Sequence, residues 1–267
     1  MSIILTVFGA TGAQGGSVIR AVLAHPTLSK VFKIRAITRD ASKPAAQTLT
    51  QQGIEVITAD MGSRSSLAAA LVGTHTVFLV TLPDMVSGAA PGTETEHGKN
   101  VADAAKEAGV QHLVFSSLIN VTDASAGKLP HVAHFDCKAA AEKYIRDQGI
   151  PATFIQPGYY MTNFTNLGLL RKGEDGSYTL SGPTSPSQAL LPLFFADEDM
   201  GESCFSPSPL SLFYCSVPLR RLTRVYLLPQ ANISSPRPSI LQNPSTRPFL
   251  LPQTTTPPPA SWTSSRR

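Results

Sequence analysis

The most informative stretch of this 267-residue chain is VFGATGAQGGSV, at positions 7–18. It follows an apolar run directly and opens a segment of helical composition, which is the setting of a dinucleotide-binding loop. Gly9 allows a tight turn, Gly12 lets the backbone approach a pyrophosphate, and Gly15 or Gly16 lets the helix pack close to a sheet. A helix N-terminus also attracts phosphate. An ordinary strand-to-helix turn is the alternative, but the position at the first strand favours a nucleotide site.

Apolar runs and helical segments alternate through about residue 157. Parallel strands are indicated by six short apolar runs, at 3–8, 32–38, 54–58, 76–80, 112–116 and 152–156. One helix is predicted over 93–109, with Thr93 and Glu96 as a capping box, and another over 134–148, stopped by Gly149. Because parallel strands need long crossovers, the alternation predicts a doubly wound α/β domain with helices on both faces of a parallel sheet.

The composition changes abruptly near residue 202. The whole chain has a net charge of +4, but residues 1–201 hold 15 Lys and Arg against 17 Asp and Glu, whereas 202–267 hold seven Arg, no Lys and one acid. All 19 glycines lie at or before Gly201, and 12 of the 22 prolines lie in the last 66 residues. The basic charge therefore belongs to the tail and gives no argument for direct nucleic-acid binding.

Together with the loss of the strand–helix alternation after about residue 157, the change in composition predicts that the chain has three parts. Residues 1–157 are expected to form a nucleotide-binding domain, and 158–201 a turn-rich, partial substrate or partner region. For 202–267 we expect a Pro/Ser/Arg-rich tail that is disordered or comes from an altered reading frame, with 212–217 and 225–228 as candidate short strands. The expected fold class is thus α/β and doubly wound, with a truncated or aberrant C-terminal region.

Several other classes of protein are disfavoured. No apolar run approaches the roughly 18 residues of a membrane-spanning helix, and neither a basic region nor a cleavage pattern precedes the first strand. We therefore expect no membrane association and a cytoplasmic location, with the nucleus as a second one. The three cysteines have neither disulfide-framework nor zinc-site spacing; they are Cys137, Cys204 and Cys215.

The end of the second predicted strand indicates which nucleotide the site takes. An NAD site usually places an acid there, where it binds the ribose 2′-hydroxyl. This chain has Thr38-Arg39, followed by Lys43. Two cations suit a 2′-phosphate, which an acid would repel. NADP(H) is therefore expected over NAD(H), with two alternatives: Asp40 would serve a ribose if the register slips, and Arg39 could be a plain surface charge.

Polar residues also follow the third, fourth and fifth strands, where ligands of open α/β sheets bind. Asp60 is a candidate for the adenine side, with capping of the next helix as the alternative. Thr81 follows the fourth strand. Ser116 and Ser117 end the fifth strand and are candidates for contact with nicotinamide or substrate, the alternative being a polar strand end.

His134 and Lys138 stand four residues apart in a predicted helix, so they share one helical face. A lysine near a nicotinamide ribose can bind its hydroxyls, and a histidine can donate or accept a proton near neutral pH. The alternative is a solvent-facing pair. His131 and His134 lack a full ligand set, so no metal site is expected.

Together these motifs resemble the NmrA-like group of atypical short-chain dehydrogenases/reductases. The resemblance covers about residues 1–201 and rests on GATGAQGG at 9–16, Thr38-Arg39, the His-Phe-Asp-x-Lys pattern at 134–138 and QPGYYMTNF at 156–164. It implies a Rossmann NADP(H)-binding domain followed by a smaller region for substrate or partner. The match fades after ADEDMG at 196–201, where the family begins a helix and this chain begins its tail.

The resemblance also assigns site residues. It implies that Lys138 holds the nicotinamide ribose and that Tyr159, Tyr160 and Asn163 line the cleft. His134 takes the place of the tyrosine of the wider superfamily, so the usual hydroxyl acid is absent. The full set of expected cofactor contacts is Gly9, Thr11, Gly12, Ala13, Gln14, Gly15, Arg39, Lys43, Asp60, Thr81, Lys138, Tyr159 and Asn163.

The resemblance is compatible with more than one function. In an NADP(H)-dependent oxidoreductase, Lys138 and His134 act near the nicotinamide, and Ser116 (or Ser117) orients a small carbonyl or enone-type substrate. In a non-catalytic redox sensor, NADPH shifts the conformation that meets a regulatory protein partner such as a transcription factor. A chain with an incomplete substrate region that only binds nucleotide is a third hypothesis. A homodimer is a further expectation.

Overall fold

The computed structural model describes residues 2–181, 190–205 and 215–218. Its central sheet has six strands, all paired in parallel: β1 (Ile3–Val7), β2 (Phe32–Thr38), β3 (Glu55–Thr58), β4 (Thr74–Leu79), β5 (His112–Ser116) and β6 (Ala152–Ile155). The strand order is β3-β2-β1-β4-β5-β6, which is the Rossmann arrangement. The prediction of a doubly wound parallel sheet is confirmed, and the six predicted strands match to within two residues at each end.

Helices connect these strands as the alternating pattern predicts. They are α1 (Ala13–Ala24), α2 (Leu28–Val31), α3 (Pro44–Gln51), α4 (Arg64–Ala70), α5 (Asp84–Ser87), α6 (Thr93–Glu107), α7 (Val121–Ala124) and α8 (Ala133–Asp147). None of the helices in the described residues is long and apolar enough to cross a membrane.

Both faces of the sheet are buried, because alternate residues of the central strands enter two separate hydrophobic clusters. On β4, Val77 and Leu79 belong to one cluster and Phe78 to the other. The first cluster also contains apolar side chains of α4, α6 and α8, and the second contains those of α1. Side chains alternate across a strand, so burial on both faces accounts for strands that are apolar throughout.

The start of α6 differs from the predicted capping box of Thr93 and Glu96. The residue before the helix is Gly92, in the left-handed region at φ +88°, and it offers no side chain. The Asp84 carboxylate caps the helix instead, accepting from the backbone N–H groups of Gly92 at 2.7 Å and Glu94 at 2.6 Å. The prediction of a capping box is therefore wrong. A carboxylate from the preceding short helix bonds to the N–H groups at the start of α6 instead.

Beyond β6 the chain forms small additional elements. They are β7 (Tyr159–Tyr160), α9 (Asn163–Asn166), β8 (Leu170–Lys172), β9 (Tyr178–Leu180), β10 (Leu190–Phe194), α10 (Asp199–Phe205) and β11 (Cys215–Pro218). Strand β10 pairs in parallel with β7 and antiparallel with β11, while β8 and β9 form a hairpin. Of the two candidate strands in the tail, 212–217 overlaps β11 from residue 215 onward, and 225–228 lies outside the described residues.

Helix α10 packs directly on α1 and runs across the position where the composition changes. The Ser17 hydroxyl donates to the Glu198 carbonyl at 2.8 Å and accepts from the Gly201 N–H at 2.9 Å. Gly201 is required here, because an added β-carbon would lie 2.5 Å from the Ser17 carbonyl oxygen. Met200 is fully buried in the same cluster as α1. Residues 190–205 therefore complete one face of the core. The tail from residue 202 is expected to be disordered, but 202–205 lie in α10 and 215–218 form β11. For 206–214 and 219–267, which lie outside the described residues, that expectation stays a prediction.

Candidate dinucleotide site

The glycine loop lies between the carboxyl end of β1 and the start of α1, where the strand order reverses between β1 and β4. Gly9 has φ +65°, a conformation that favours glycine. A β-carbon added at Gly15 would collide with the carbonyl oxygen of Gly9, and one added at Gly12 would lie 3.3 Å from the same oxygen. Glycine at position 15 lets the start of the helix pack closely against the loop. The role of Gly12 toward a pyrophosphate stays a prediction.

The first turn of α1 presents free hydrogen-bond donors. Gly12 precedes the helix and provides no side-chain cap. The backbone N–H groups of Ala13, Gln14 and Gly15 donate to no acceptor in the described residues. Free N–H groups at a helix N-terminus, together with the helix dipole, favour an anion such as a phosphate.

Gln14 links this loop to the region after β6. Its side-chain N–H donates to the Tyr160 hydroxyl in a short hydrogen bond. Burial raises the pKa of Tyr160, and the bond from Gln14 opposes that shift. The other end of the Gln14 amide, Oε1, is buried without a partner. The structure therefore brings Gln14 and Tyr160 into direct contact.

The carboxyl end of β2 carries an exposed cation. Arg39 is exposed and makes no ion pair or hydrogen bond with the described residues. Lys43 is also exposed and lies in the connecting loop, immediately before α3.

Asp40, the alternative ribose ligand, is held by its own loop. Its carboxylate accepts from the Ser42 hydroxyl at 2.6 Å and the Ser42 N–H at 2.9 Å. These bonds lower the pKa of Asp40, first through the Ser42 hydroxyl and then through its N–H.

Asp60 lies at the end of β3 and does not cap the next helix. Its carboxylate accepts from the Gly62 N–H at 2.6 Å, which closes a local turn. The cap of α4 is Ser63, whose hydroxyl accepts from the Ser66 N–H. Asp60 is exposed. The capping alternative is therefore not realised, and Asp60 stays a candidate for the adenine side.

A buried polar cluster joins the carboxyl end of β4 to α6 and α8. It consists of Thr81, Glu94 and Lys138, which we call the Thr81–Glu94–Lys138 cluster. The Lys138 ammonium lies 2.8 Å from Glu94 Oε1, 2.9 Å from the Thr81 carbonyl oxygen and 2.9 Å from the Thr81 hydroxyl. That hydroxyl donates to Glu94 Oε1 at 2.7 Å. The side chains of Lys138 and Glu94 are 8% and 0% exposed, so the predicted solvent-facing alternative for Lys138 is excluded.

Sequence reasoning missed Glu94, although the sequence carries a signal for it. Glu94, Gly98, Val101 and Ala105 are all buried on α6, and their spacing of four, three and four residues places them on one helical face. An acid on the apolar face of a helix needs a buried cation or hydrogen-bond donors.

The remaining catalytic candidates lie at the ends of β5 and in α8. Ser116 ends β5 with a side chain that is 1% exposed and a hydroxyl without a hydrogen-bond partner. His134 is half-buried in the first turn of α8, with its ring edge-on to Phe135 at 4.8 Å. Lys138 follows one turn later on α8.

Tyr159 and Asn163 lie just after β6. Tyr159 is half-buried and its ring contacts that of Phe164, with centroids 5.4 Å apart. Asn163 opens α9, and its half-buried side chain bonds to none of the described residues. Gly158 allows this segment to approach β10, because a β-carbon there would collide with the Pro192 carbonyl oxygen.

Some buried side-chain oxygens in the described residues have no hydrogen-bond partner. In the described residues they are Gln14 Oε1, Glu94 Oε2, Ser116 Oγ and Glu142 Oε2, and two of these four belong to residues that the sequence assigns to the site. Buried polar atoms normally have partners. A bound group with hydroxyl or amide donors fits this arrangement, as a dinucleotide fits the glycine loop. The described residues bring no three His, Cys, Asp or Glu side chains together as a metal site.

The structure connects some of the predicted residues and leaves others separate. Direct contacts link Gln14 to Tyr160 and Thr81 to Lys138. Arg39, Lys43 and His134 each follow the expected element but bond to no other site residue.

This chain is similar in sequence to NmrA-like proteins and in structure to proteins solved with a nicotinamide nucleotide. The oxidoreductase malD of Malbranchea aurantiaca, which carries an NmrA-like family domain, is 33% identical over 210 residues, covering 74% of this chain and 62% of that protein. The crystal structure of NmrA, a negative transcriptional regulator, in complex with NAD is 27% identical, with a TM-score of 0.64, covering 76% of this chain and 60% of that one. Citrobacter sp. triphenylmethane reductase complexed with NADP(H) is 26% identical, with a TM-score of 0.59, covering 76% and 64%.

This chain therefore spans less than two thirds of the length of the proteins that it resembles. The model of the NmrA-like family matches residues 1–206, ending one residue after α10. Since that match covers most of the chain, and the six-stranded sheet and glycine loop agree with it, this chain belongs to the NmrA-like family.

Proposed function

We propose that this chain binds NADP(H) and transfers a hydride between NADPH and a small organic carbonyl or enone-type substrate. The glycine loop at the switch point carries this proposal, because its free N–H groups and missing side chains leave room for a pyrophosphate. A bound nicotinamide nucleotide would supply the hydride chemistry. The neighbours solved with NAD and with NADP(H) support that class of cofactor, and the relative named as an oxidoreductase supports the reaction class.

The residues expected to hold the cofactor divide by the part of it that they would contact. The glycine loop, with Thr11 and Ala13, would take the pyrophosphate through backbone N–H groups. Gln14 would add its unpartnered Oε1 as an acceptor. Asp60 would face the adenine side, and Tyr159 and Asn163 the opposite end of the cleft.

A preference for NADP(H) over NAD(H) rests on the end of β2. Arg39 and Lys43 are exposed and available to an anion, and a guanidinium pairs well with a phosphate. Asp40, which would serve an NAD ribose, has its carboxylate bonded to Ser42. A 2′-phosphate is therefore the better match.

Lys138, His134 and Ser116 would act at the nicotinamide end. The Lys138 ammonium donates to the carbonyl and hydroxyl oxygens of Thr81 and pairs with Glu94 Oε1, so Lys138 would exchange one of these contacts to reach a ribose hydroxyl. Ser116 has a free hydroxyl that could donate to a substrate carbonyl. His134, at the start of α8, is the group that could donate a proton.

A redox sensor is the second candidate, and one observation favours it. Lys138 is fully bonded within the protein, and His134 stands where the wider superfamily has its catalytic tyrosine, so nicotinamide-end chemistry is not preassembled. NmrA itself, solved with NAD, is described as a negative transcriptional regulator. In this role NADPH would bind and a partner protein would respond. Cytoplasmic location and assembly as a homodimer stay predictions.

The test is NADPH binding followed by turnover. We expect the full chain to bind NADPH, measured by fluorescence titration, and to consume it with at least one member of a panel of quinones, aldehydes and enones. Ser116→Ala should lower kcat by about tenfold or more with little change in stability, because it removes one orienting hydrogen bond. Ser117→Ala distinguishes the two serine candidates: it should lower kcat less than Ser116→Ala, since the Ser117 hydroxyl already donates to the Leu118 carbonyl. Tight binding without turnover across the panel would favour the sensor, and no binding would refute both.

A further inference from the structure

Glu94 is the one fully buried carboxylate among the acids of this chain, all of which lie in the described residues. A buried carboxylate is costly unless it is paired and hydrogen-bonded. Glu94 accepts from Lys138 and from Thr81 through Oε1, while Oε2 has no partner. Half of its hydrogen-bonding capacity is therefore left unused. A role that lies only in stability would be served as well if apolar side chains replaced both members of the Glu94–Lys138 pair.

The placement of Glu94 follows from the packing of α6 against α8. Gly98 lets the two helices approach, because an added β-carbon would lie 2.7 Å from Ala141 Cβ. One turn toward the start of both helices, Glu94 faces Lys138. Asp84 fixes the same turn of α6 by accepting from the Glu94 N–H. The carboxylate is thus aimed at Lys138 by backbone contacts.

We propose that Glu94 is a positioning residue for Lys138. Its carboxylate holds the ammonium at the carboxyl end of β4 and keeps it charged, so that Lys138 meets a nicotinamide ribose as a fixed cation. Thr81 completes the arrangement by accepting from Lys138 and donating to Glu94. The part that concerns the cofactor rests on the proposed function; the part that concerns the charge of Lys138 does not.

Electrostatics around Lys138 agrees with this geometry. Burial lowers the pKa of Lys138, and the charge and hydrogen bond of Glu94 oppose that shift. Among the other groups nearby, burial raises the pKa of Cys137, a hydrogen bond with Thr95 opposes that shift, and the charges of Asp84, Glu94 and Asp136 add to it. His134 lies one turn earlier on α8. Glu94 is the anion in direct contact with Lys138. If the charge of Glu94 is removed, Lys138 should therefore lose its proton at a lower pH.

The first experiment needs no cofactor. In protein labelled with ¹³C at the lysine Cε, the Lys138 signal is assigned by its absence in Lys138→Arg and then titrated with pH. We expect the midpoint in Glu94→Gln to lie at least about one pH unit below that of the wild type. Glu96→Gln is the matched control, because Glu96 is on the same helix with a side chain that is 62% exposed. Equal midpoints in the wild type and Glu94→Gln would overturn the proposal.

A second variant covers the case in which Glu94→Gln does not fold. If the uncompensated charge of Lys138 is the cause, Glu94→Gln combined with Lys138→Met should fold, as circular dichroism would show. Failure of this double variant would mean that Glu94 is only structural, and would overturn the proposal. Thr81→Val leaves the Glu94 carboxylate in place, so the titration midpoint of Lys138 should stay near that of the wild type. A shift in Thr81→Val as large as that in Glu94→Gln would also contradict the proposal.

The second experiment measures NADPH affinity between pH 7 and pH 9. The NADPH affinity of the wild type and of Glu96→Gln should change little over this range. The affinity of Glu94→Gln should fall about five- to tenfold, because Lys138 loses its charge-assisted bond. If the wild type fails to bind NADPH, the proposed function is wrong. The titration of Lys138 then still tests whether Glu94 keeps that lysine charged. If the wild type binds and Glu94→Gln follows it at every pH, the role of Glu94 toward the cofactor is refuted.

Discussion

Two cationic regions flank the glycine loop, and they differ in how the protein treats the charge. At the end of β2, the side chains of Arg39 and Lys43 are exposed and make no hydrogen bond or ion pair with the described residues. In α8, Lys138 is buried and donates all of its hydrogen bonds inside the Thr81–Glu94–Lys138 cluster. The same side-chain charge is therefore available to a ligand in one region and committed to the fold in the other.

This difference separates ligand recognition from folding stability. An exposed cation interacts with water until a ligand arrives, so its loss should cost affinity and leave the fold intact. A buried ion pair has already lost its hydration, so removing one partner leaves the other charge uncompensated. Three substitutions probe this contrast, from the largest expected effect on the free energy of unfolding to the smallest.

Lys138→Met should be the most damaging. It leaves Glu94 buried without its cation, and we expect the free energy of unfolding to fall by about 3–5 kcal/mol in chemical denaturation. Glu94→Gln added to Lys138→Met should recover most of the loss. The control is Lys143→Met, which replaces an exposed lysine. If both variants lose the same stability, the contrast between buried and exposed cations is refuted.

Gly15→Ala tests the loop that lies between the two cations. The new methyl group would collide with the Gly9 carbonyl, so we expect a loss of about 1–3 kcal/mol. Gly16→Ala is the matched control, because its nearest neighbour is the movable guanidinium of Arg20 at 3.1 Å. Replacing that helical glycine should raise stability by about 0.5–1 kcal/mol. Thermal unfolding measures both, and equal melting temperatures would contradict the close packing of the loop.

Arg39→Ala should have the smallest effect on stability and a clear effect on binding. We expect the free energy of unfolding to stay within about 0.5 kcal/mol of the wild type. NADPH affinity should fall by about 10- to 100-fold through the loss of charge-assisted bonds, while NADH affinity should barely change. Calorimetric titration with both nucleotides measures this. Equal weakening of both would show that Arg39 does not recognise a 2′-phosphate.

Much of the fold was predictable because local patterns and the tertiary structure agree. The strand bounds of β2 and β5 match their apolar runs, since strands buried on both faces need apolar residues throughout. The glycine loop was predictable for a related reason: Gly9 requires a left-handed conformation and Gly15 a close approach, and both needs are visible in sequence.

Other features depend on partners that are distant in sequence. Asp84 displaces the predicted capping box of α6 from eight and ten residues away, through a short intervening turn. Glu94 meets Lys138 across 44 positions of sequence, and Ser17 meets Gly201 across 184. No local spacing reveals such pairs, because they depend on which helices the sheet brings side by side.

By itself, the sequence determined the order of strands and helices, the nucleotide loop and the residue types around it, because hydrophobic periodicity and glycine stereochemistry act locally. Only the tertiary structure decided which charges are free and which are paired. Arg39 and Lys138 look alike in the sequence, each a cation at an expected site. Their difference arises from burial, which makes a charge seek a partner inside the protein, and burial is a property of the packed helices α6 and α8 against β4 rather than of either residue.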